Sequence, residues 1–146
     1  MPKWFKPVVV VALLWNLMGC LAYLADVMVS PEAIAKMSAA EQALRAARPA
    51  WSVGATAIGV WFGAAGCVAL LLRKSATMLL VVSLLGVIVQ DISLAMIASQ
   101  LAALGTAPLI LQGLVLLVCV GLVQLARTAE TQGWIGAAKP SPLKRG

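Results

Sequence analysis

Residues 51–99 read WSVGATAIGVWFGAAGCVALLLRKSATMLLVVSLLGVIVQDISLAMIAS, two apolar runs joined by the short polar sequence RKSA. The runs, residues 51–72 and 77–99, are 22 and 23 residues long. Because an α-helix rises about 1.5 Å per residue, each run reaches across a hydrocarbon core about 30 Å thick. A link of four residues holds two such helices side by side in opposite directions. This stretch therefore predicts a transmembrane helical hairpin.

Two more apolar runs of spanning length, residues 7–27 and 107–126, flank this hairpin. Hydrophobic residues make up 62% of the 146-residue chain and charged residues only 11%, whereas soluble domains have about half and about a quarter. This composition excludes a soluble globular protein. We predict an all-α integral membrane protein with a single domain over residues 1–135, built as an antiparallel bundle of four transmembrane helices.

The third run carries two polar side chains, Gln90 and Asp91, well inside its apolar sequence. An aspartate near the centre of a transmembrane helix costs about 2.5 to 3.5 kcal/mol on the insertion scale. The twelve Leu, Ile and Val residues of this run contribute about 0.3 to 0.6 kcal/mol each and outweigh that cost. We therefore expect the third run to span the membrane with its acid in place.

Basic residues are distributed unequally between the two ends of the predicted helices. Eight lie on the side of the chain termini and of the RKSA link: Lys3, Lys6, Arg73, Lys74, Arg127, Lys139, Lys144 and Arg145. The opposite side carries three basic residues, which three acidic residues balance. Since basic flanks stay in the cytoplasm, we predict that both termini are cytoplasmic.

The longest loop, residues 26–49, contains two helix-start signals, Ser30-Pro31-Glu32 and the capping box SAAE at 38–41. The second helix has an apolar face made of Met37, Ala40, Leu44 and Ala47. It is predicted either to lie on the outer membrane surface or to cover an outward-facing cavity as a lid.

Two expectations concern the last span and the residues after it. Thr106 is placed to cap the start of the fourth transmembrane helix. The chain from Thr128 onward is rich in Gly, Pro, Lys and Arg, a composition that cannot bury a core. It predicts a disordered tail, with residues 136–146 as its flexible basic end.

Small residues recur at every fourth position along the second helix. They are Ala55, Gly59, Gly63 and Cys67, and the two glycines form a GxxxG motif. Such a stripe lets two helix backbones approach closely. It predicts a packing face, either inside one bundle or between two copies of the chain.

Five polar side chains lie within the apolar runs: Asn16, Tyr23, Gln90, Asp91 and Gln112. Lipid offers them no hydrogen-bond partner, so they are the default candidates for a solute or proton site. Counted from the ends of the spans, Asn16 and Gln90 fall near the midplane and the other three in the outer half. This placement predicts one cluster that opens outward. The alternative is that these groups bond neighbouring helices to each other.

Asp91 differs from the other four because a carboxyl group ordinarily carries a charge at neutral pH. It lies about 100° from Gln90 around the helix, so the two side chains do not point at one narrow partner. No Lys or Arg lies at its depth in the predicted bundle. An unpaired aspartate there either stays protonated or faces water, and such groups serve in proton coupling.

Several kinds of chemistry lack their usual residues. The chain has no histidine, the commonest general base and metal ligand. Its three cysteines all lie within apolar runs, which is typical of small buried residues rather than of disulfides or zinc ligands. We predict no catalytic residue, no metal site and no cofactor. The net charge of +6 comes from helix ends, so nucleic acid is not an expected partner.

A weak internal repeat pairs the first and third spans. The sequence LLWNLMG at 13–19 is similar to LVVSLLG at 80–86. The match predicts two hairpins of common origin, related as the parallel repeats of small carriers are.

Four short segments carry a resemblance to a known family: LWNLMG (14–19), PAW (49–51), LLLRK (70–74) and SLLGVIVQ (83–90). They resemble a family of small four-helix bacterial membrane proteins often labelled sugar transporters, over about residues 3–135. The resemblance implies the four-helix fold and a bacterial inner membrane. Its label implies transport of a sugar but no mechanism and no binding residues.

Two functions are consistent with these patterns. The first is a carrier or pore for a small polar solute such as a sugar, assembled as a homo-oligomer because four helices enclose little room. The second is a non-catalytic accessory or scaffold subunit of a larger membrane complex. The expected partners are the lipid bilayer, further copies or other membrane subunits, and in the first case the solute.

Overall fold

The structure is a computed structural model that describes residues 1–136, within which every regular element is a helix. In chain order the helices are α1 (Phe5–Val27), α2 (Pro31–Ala35), α3 (Ala39–Ala47), α4 (Ala50–Leu71), α5 (Thr77–Met96), α6 (Ala98–Ala102) and α7 (Ala107–Thr131). By length and composition α1, α4, α5 and α7 are able to cross a membrane. The prediction of four long apolar helices is confirmed.

The α4 helix packs against both α1 and α5, and α7 packs against α5. The close approach of α4 to α5 depends on small residues on both helices. A Cβ atom on Gly86 of α5 would lie 2.8 Å from the backbone nitrogen of Gly59. A Cβ on Gly59 would in turn lie 3.0 Å from Val87 Cγ2. The two backbones therefore touch, which the side chain of any larger residue would prevent.

The small-residue stripe on α4 is buried inside the chain. Its members, Ala55, Gly59, Gly63 and Cys67, are all among the buried residues of this helix. Gly59 faces α5 and Gly63 faces both α1 and α5. Of the two predicted uses of the stripe, packing within one bundle is the one observed, and the stripe is not open to a second copy.

The turn between α4 and α5, residues 72–76, marks one end of the long helices, which we call the hairpin end. All four long helices contribute to an apolar core here. Its members include Phe5, Val9, Cys67, Leu70, Leu80, Leu122 and Ala126. Most of these side chains are fully buried, so the hairpin end is sealed by apolar contacts.

The prediction of disorder from Thr128 onward is wrong for residues 128–136. The α7 helix continues to Thr131, five residues beyond the predicted span. Ala129 and Ile135 are buried in the core of the hairpin end. Trp134 packs edge-on against Trp4 and Phe5, with ring centroids 6.0 and 5.7 Å away. These apolar contacts hold a segment whose composition alone indicates disorder. The rest of the predicted tail, residues 137–146, lies outside the described part of the chain.

Glu130 fastens the end of α7 to the start of α5. Its carboxylate accepts hydrogen bonds from Ser75 Oγ at 2.7 Å and from the backbone N–H groups of Ala76 and Thr77 at 3.2 and 3.3 Å. Unpaired N–H groups and a partial positive charge mark any helix start, so a carboxylate there stabilises the helix. Glu130 thus caps α5 from another helix.

The opposite end of the long helices carries α2, α3 and α6, and we call it the loop end. Both predicted helix starts are confirmed: Ser30 Oγ accepts from the N–H of Ala33 and Ser38 Oγ from that of Glu41. The α3 helix packs against α6.

Two details at the loop end differ from the prediction. Thr106 does not cap α7 with its side chain, because its φ of −88° and ψ of −21° are already helical and turn the hydroxyl away. The α5 helix ends at Met96 rather than at residue 99. Beyond it, α6 follows as a separate turn that buries Leu101.

Candidate functional site

A cavity of about 190 Å³ lies at the loop end, bordered by α3, α4, α5, α7 and the segment 101–104. Half of the lining side chains are Leu or Pro. The polar ones are Arg48, Ser52, Thr56, Gln90 and Gln112. This is a polar pocket within a bundle of otherwise apolar helices, and it lies at the end opposite to the sealed hairpin end.

Helix periodicity explains how three long helices supply these side chains. Residues four apart on a helix lie on one face, one turn above the other. Each long helix at the cavity presents such a pair: Ser52 and Thr56 on α4, Gln90 and Leu94 on α5, and Pro108 and Gln112 on α7. Thr56 Oγ1 donates to the carbonyl of Ser52 at 3.0 Å, so this hydroxyl is paired with its own helix.

The two amides in the wall do not bond helices to each other. Gln112 Oε1 is enclosed, yet it accepts no hydrogen bond from any of residues 1–136. The Gln90 side chain likewise forms no hydrogen bond within this range, and it is the backbone carbonyl of Gln90 that accepts from Ser93 Oγ at 2.7 Å. Buried polar groups are normally paired. Both amides are therefore available to a bound molecule.

Asn16 lies away from the cavity, between α1 and α4. Its Nδ2 donates to the carbonyl of Ala12 at 2.8 Å and has a longer contact of 3.7 Å with Cys67 Sγ. A Cβ on Gly63 would lie 2.2 Å from Asn16 Oδ1, so the amide fills the space that this glycine leaves. Asn16 therefore has the structural role that the sequence analysis left as the alternative.

The internal repeat places two polar residues at matching positions around α4. Asn16 of α1 and Ser83 of α5 occupy the same position in the two similar segments, 13–19 and 80–86, and both side chains lie close to Gly63. Ser83 Oγ donates to the carbonyl of Gly59 at 2.6 Å. The repeated sequences thus pack against α4 from two neighbouring helices.

Neither Asp91 nor Tyr23 lines the cavity. Asp91 points away from Gln90, as expected for consecutive helical residues, and its Oδ1 is enclosed without a hydrogen-bond partner in the described range. Tyr23 is half-buried on α1, a helix that does not border the cavity. The predicted single cluster is therefore not formed: Gln90 and Gln112 share a site, whereas the other three candidates lie elsewhere.

Ion pairs beside the cavity link α1 to α3. Asp26, near the end of α1, binds Arg45 through Oδ1 and Arg48 through Oδ2, the latter at 2.8 Å. Arg48 follows α3 directly and also lines the cavity, as does Leu44 of α3. The α3 helix therefore forms one side of the cavity, and its role as a lid over an outward-facing cavity stays a prediction.

Sequence reasoning missed Arg48, Ser52 and Thr56 as cavity residues. Ser52 and Thr56 lie one turn apart at the start of an apolar run, and this spacing was a usable signal. Arg48 gave no such signal, because its place depends on how the loop folds back.

The described residues contain no group of three or more His, Cys, Asp or Glu side chains able to hold a metal ion. Cys20, Cys67 and Cys119 are buried and free. The chemistry that the cavity offers is thus hydrogen bonding and one guanidinium charge. Comparison of the chain with protein-family models, curated proteins and solved structures found no match in any of the three.

Proposed function

We propose that this protein is a carrier for a small polar solute that binds in the cavity at the loop end. The main support is the pair of free amides, Gln90 and Gln112, which face one cavity together with the Ser52 hydroxyl. Unpaired polar groups inside a membrane protein are costly, and they mark solute or ion pathways. A hydroxyl-rich solute such as a sugar offers both donors and acceptors to such amides.

The proposal includes an orientation in a bacterial inner membrane. The four long helices form an antiparallel bundle whose hairpin end faces the cytoplasm. Lys3, Lys6, Arg73 and Lys74 lie at that end, and cytoplasmic flanks are rich in basic residues. The cavity then opens outward. Labelling with a membrane-impermeant maleimide tests this orientation, since Ser38→Cys would react from outside intact cells and Lys74→Cys would not.

In the proposed alternating-access cycle this conformation is the outward-open state, an interpretation supported by the buried apolar contacts that close the hairpin end. A solute that enters at the loop end meets the apolar core around Leu70, Leu80 and Leu122. Release to the cytoplasm requires the helices to separate there. A continuous pore through one chain does not fit this arrangement.

Uptake by proteoliposomes tests the proposal with two neutral and two acidic probes: ¹⁴C-labelled xylose, glucose, glucuronate and glycerate. We expect uptake of at least one probe above that of protein-free liposomes, and a loss of roughly tenfold in Gln90→Leu and in Gln112→Leu. Gln124→Leu is the matched control, because Gln124 is on α7 but does not line the cavity. Asp91→Asn tests the proton site: a loss of uptake driven by a pH gradient would place this acid in the cycle.

If uptake of all four probes equals that of protein-free liposomes, the proposal is wrong. Equal uptake by the wild type and by both cavity variants would remove the cavity from transport.

One feature favours the second function, an accessory subunit. An apolar groove of about 420 Å³ lies between α4 and α5, lined by Trp51, Gly54, Ala55, Ile58, Val82, Leu85, Gly86 and Val89. Gly59 and Gly63 are covered within the chain, but this groove, which Ala55 borders, is open to another helix. Purification in mild detergent separates the cases: a homo-oligomer fits a carrier, and stable association with unrelated subunits fits a scaffold.

A further inference from the structure

We infer that the cavity selects a small hydroxylated solute that carries a carboxylate, and that Arg48 binds this group. The inference rests on the proposed function and specifies its substrate class. Two observations support it: the charge of the cavity wall and the unused N–H donors of the Arg48 guanidinium. A second arginine, Arg45, lies outside the cavity and provides a control for the test.

Arg48 is the single charged side chain in the cavity wall among residues 1–136. The remaining polar wall groups are amides and hydroxyls, which are neutral. Glu41 and Asp26 line a separate, more open pocket on the other side of the arginines. A cationic solute would find no carboxylate in the wall, whereas an anionic one would find a guanidinium.

Two acids, Asp26 and Glu41, lie near the two arginines, but among the described residues only Asp26 is ion-paired with them. Asp26 is shared by two guanidinium groups, those of Arg45 and Arg48, so one positive charge is in excess within this triad. Arg48 uses Nη2 for its hydrogen bond to Asp26 Oδ2 at 2.8 Å. A guanidinium has five N–H donors, and no other side-chain hydrogen bond of Arg48 occurs within the described residues. It can therefore hold a second carboxylate without releasing the first.

Size and depth restrict the solute further. The cavity of about 190 Å³ is smaller than the roughly 300 to 1,000 Å³ of pockets for drug-sized ligands. Arg48 lies at the end of α3, with 28% of its side chain exposed, while Gln90 and Gln112 lie one or more turns into their helices. A carboxylate at Arg48 and hydroxyls directed toward Gln90 and Gln112 would satisfy the guanidinium and both amides. Hydroxy acids of three to six carbons, including sugar acids, have this chemistry.

Binding measurements on the purified protein in detergent micelles test the inference apart from transport. Two pairs of probes differ chiefly in the carboxylate: glucose with glucuronate, and glycerol with glycerate. Isothermal titration calorimetry gives the dissociation constant of each. Since a charge-assisted hydrogen bond adds roughly 10- to 100-fold in affinity, we expect the acid of at least one pair to bind that much more tightly than its neutral partner.

Arg48→Gln and Arg45→Gln form the decisive comparison. Each removes one guanidinium from Asp26, but Arg45 does not line the cavity. We expect Arg48→Gln to reduce the preference for the acid to about twofold or less and Arg45→Gln to keep it. Arg48→Lys, which keeps the charge but loses the planar fork, should retain part of it.

Each outcome is decisive. Equal affinity for acid and neutral partner in the wild type would overturn the inference while leaving the proposed function intact. An acid preference that survives in Arg48→Gln would also overturn it, as would equal losses in the two glutamine variants. If no probe binds, the inference fails, and uptake of xylose or glucose then decides the proposed function separately.

Discussion

Replacing Gly86 with alanine tests whether backbone contact between α4 and α5 determines the stability of the bundle. The added Cβ would lie 2.8 Å from Gly59 N and 2.9 Å from the carbonyl oxygen of Ala55. Both atoms belong to the α4 backbone, so no side-chain rotation can relieve the contacts. Ordinary van der Waals contact begins near 3.4 Å, and the helices must therefore separate locally by about 0.6 Å.

The cost of this separation follows from packing. A gap of about 0.5 to 1 Å forfeits a quarter to a half of the dispersion energy of each atom pair across it. Overpacking of a close-packed interior typically costs about 1 to 3 kcal/mol. Alanine is better than glycine in a helix by about 0.5 to 1 kcal/mol, which offsets part of the cost. We expect Gly86→Ala to lower the free energy of unfolding by about 1 to 2 kcal/mol.

Gly54→Ala is the matched control, because a Cβ on Gly54 of α4 would meet nothing within 4 Å. This variant gains helix propensity without a clash and should be as stable as the wild type or more stable by up to about 1 kcal/mol. The assay is equilibrium unfolding by sodium dodecyl sulfate in mixed micelles, followed by circular dichroism. If Gly86→Ala and Gly54→Ala unfold at the same detergent fraction, the close contact inferred between α4 and α5 is wrong.

Three further predictions concern polar contacts. Glu130→Ala should lower the free energy of unfolding by about 1 kcal/mol through loss of the α5 cap, and Glu130→Gln by less, in the same unfolding assay; equal stability of Glu130→Ala and wild type would refute the cap. Asp26→Asn should free α3 and speed tryptic cleavage within residues 39–48 severalfold, whereas Glu32→Gln, which has no ion pair in the described range, should not. Ser83→Ala removes a buried interhelical hydrogen bond and should lower the free energy of unfolding by only about 0.6 kcal/mol. If it lowers the free energy of unfolding by more than Gly86→Ala does, hydrogen bonding rather than packing dominates this interface.

The long helices were predictable because each depends on a property of its own sequence. An apolar run of about 20 residues is helical in a membrane whatever surrounds it. The helix starts at Ser30 and Ser38 were predictable for the same reason, since a capping hydroxyl bonds to a backbone group three residues away. The stripe on α4 indicated a packing face. Whether α5 or a second chain packs there depends on the residues of the partner helix, which the α4 sequence does not contain.

The site was less predictable because it depends on which helices are neighbours. Gln90 and Gln112 share a cavity since α5 packs against α7, whereas Asn16 and Tyr23 belong to α1, which contributes no residue to the cavity wall. The five candidates were grouped by their predicted depth in the membrane. Depth does not determine the direction around the helix axis in which a side chain points. The ordered segment 128–136 was missed because Glu130 is matched by groups more than 50 residues earlier in the chain.

The contacts at the two ends of the bundle differ in strength. This difference bears on which step of the proposed transport cycle would be slowest. At the loop end, α3 is tied to α1 by ion pairs to Asp26 whose side chains are about a quarter to a third exposed, and such pairs contribute about 1 kcal/mol or less. The hairpin end buries Phe5, Leu70 and Leu80 almost completely, and exposing each to water costs about 1.5 to 3 kcal/mol. Opening the hairpin end therefore costs more than breaking the ion pairs that hold α3 at the loop end. The proposed carrier would rest in the outward-open state, and release of solute to the cytoplasm, rather than its entry, would be the slow step of the cycle.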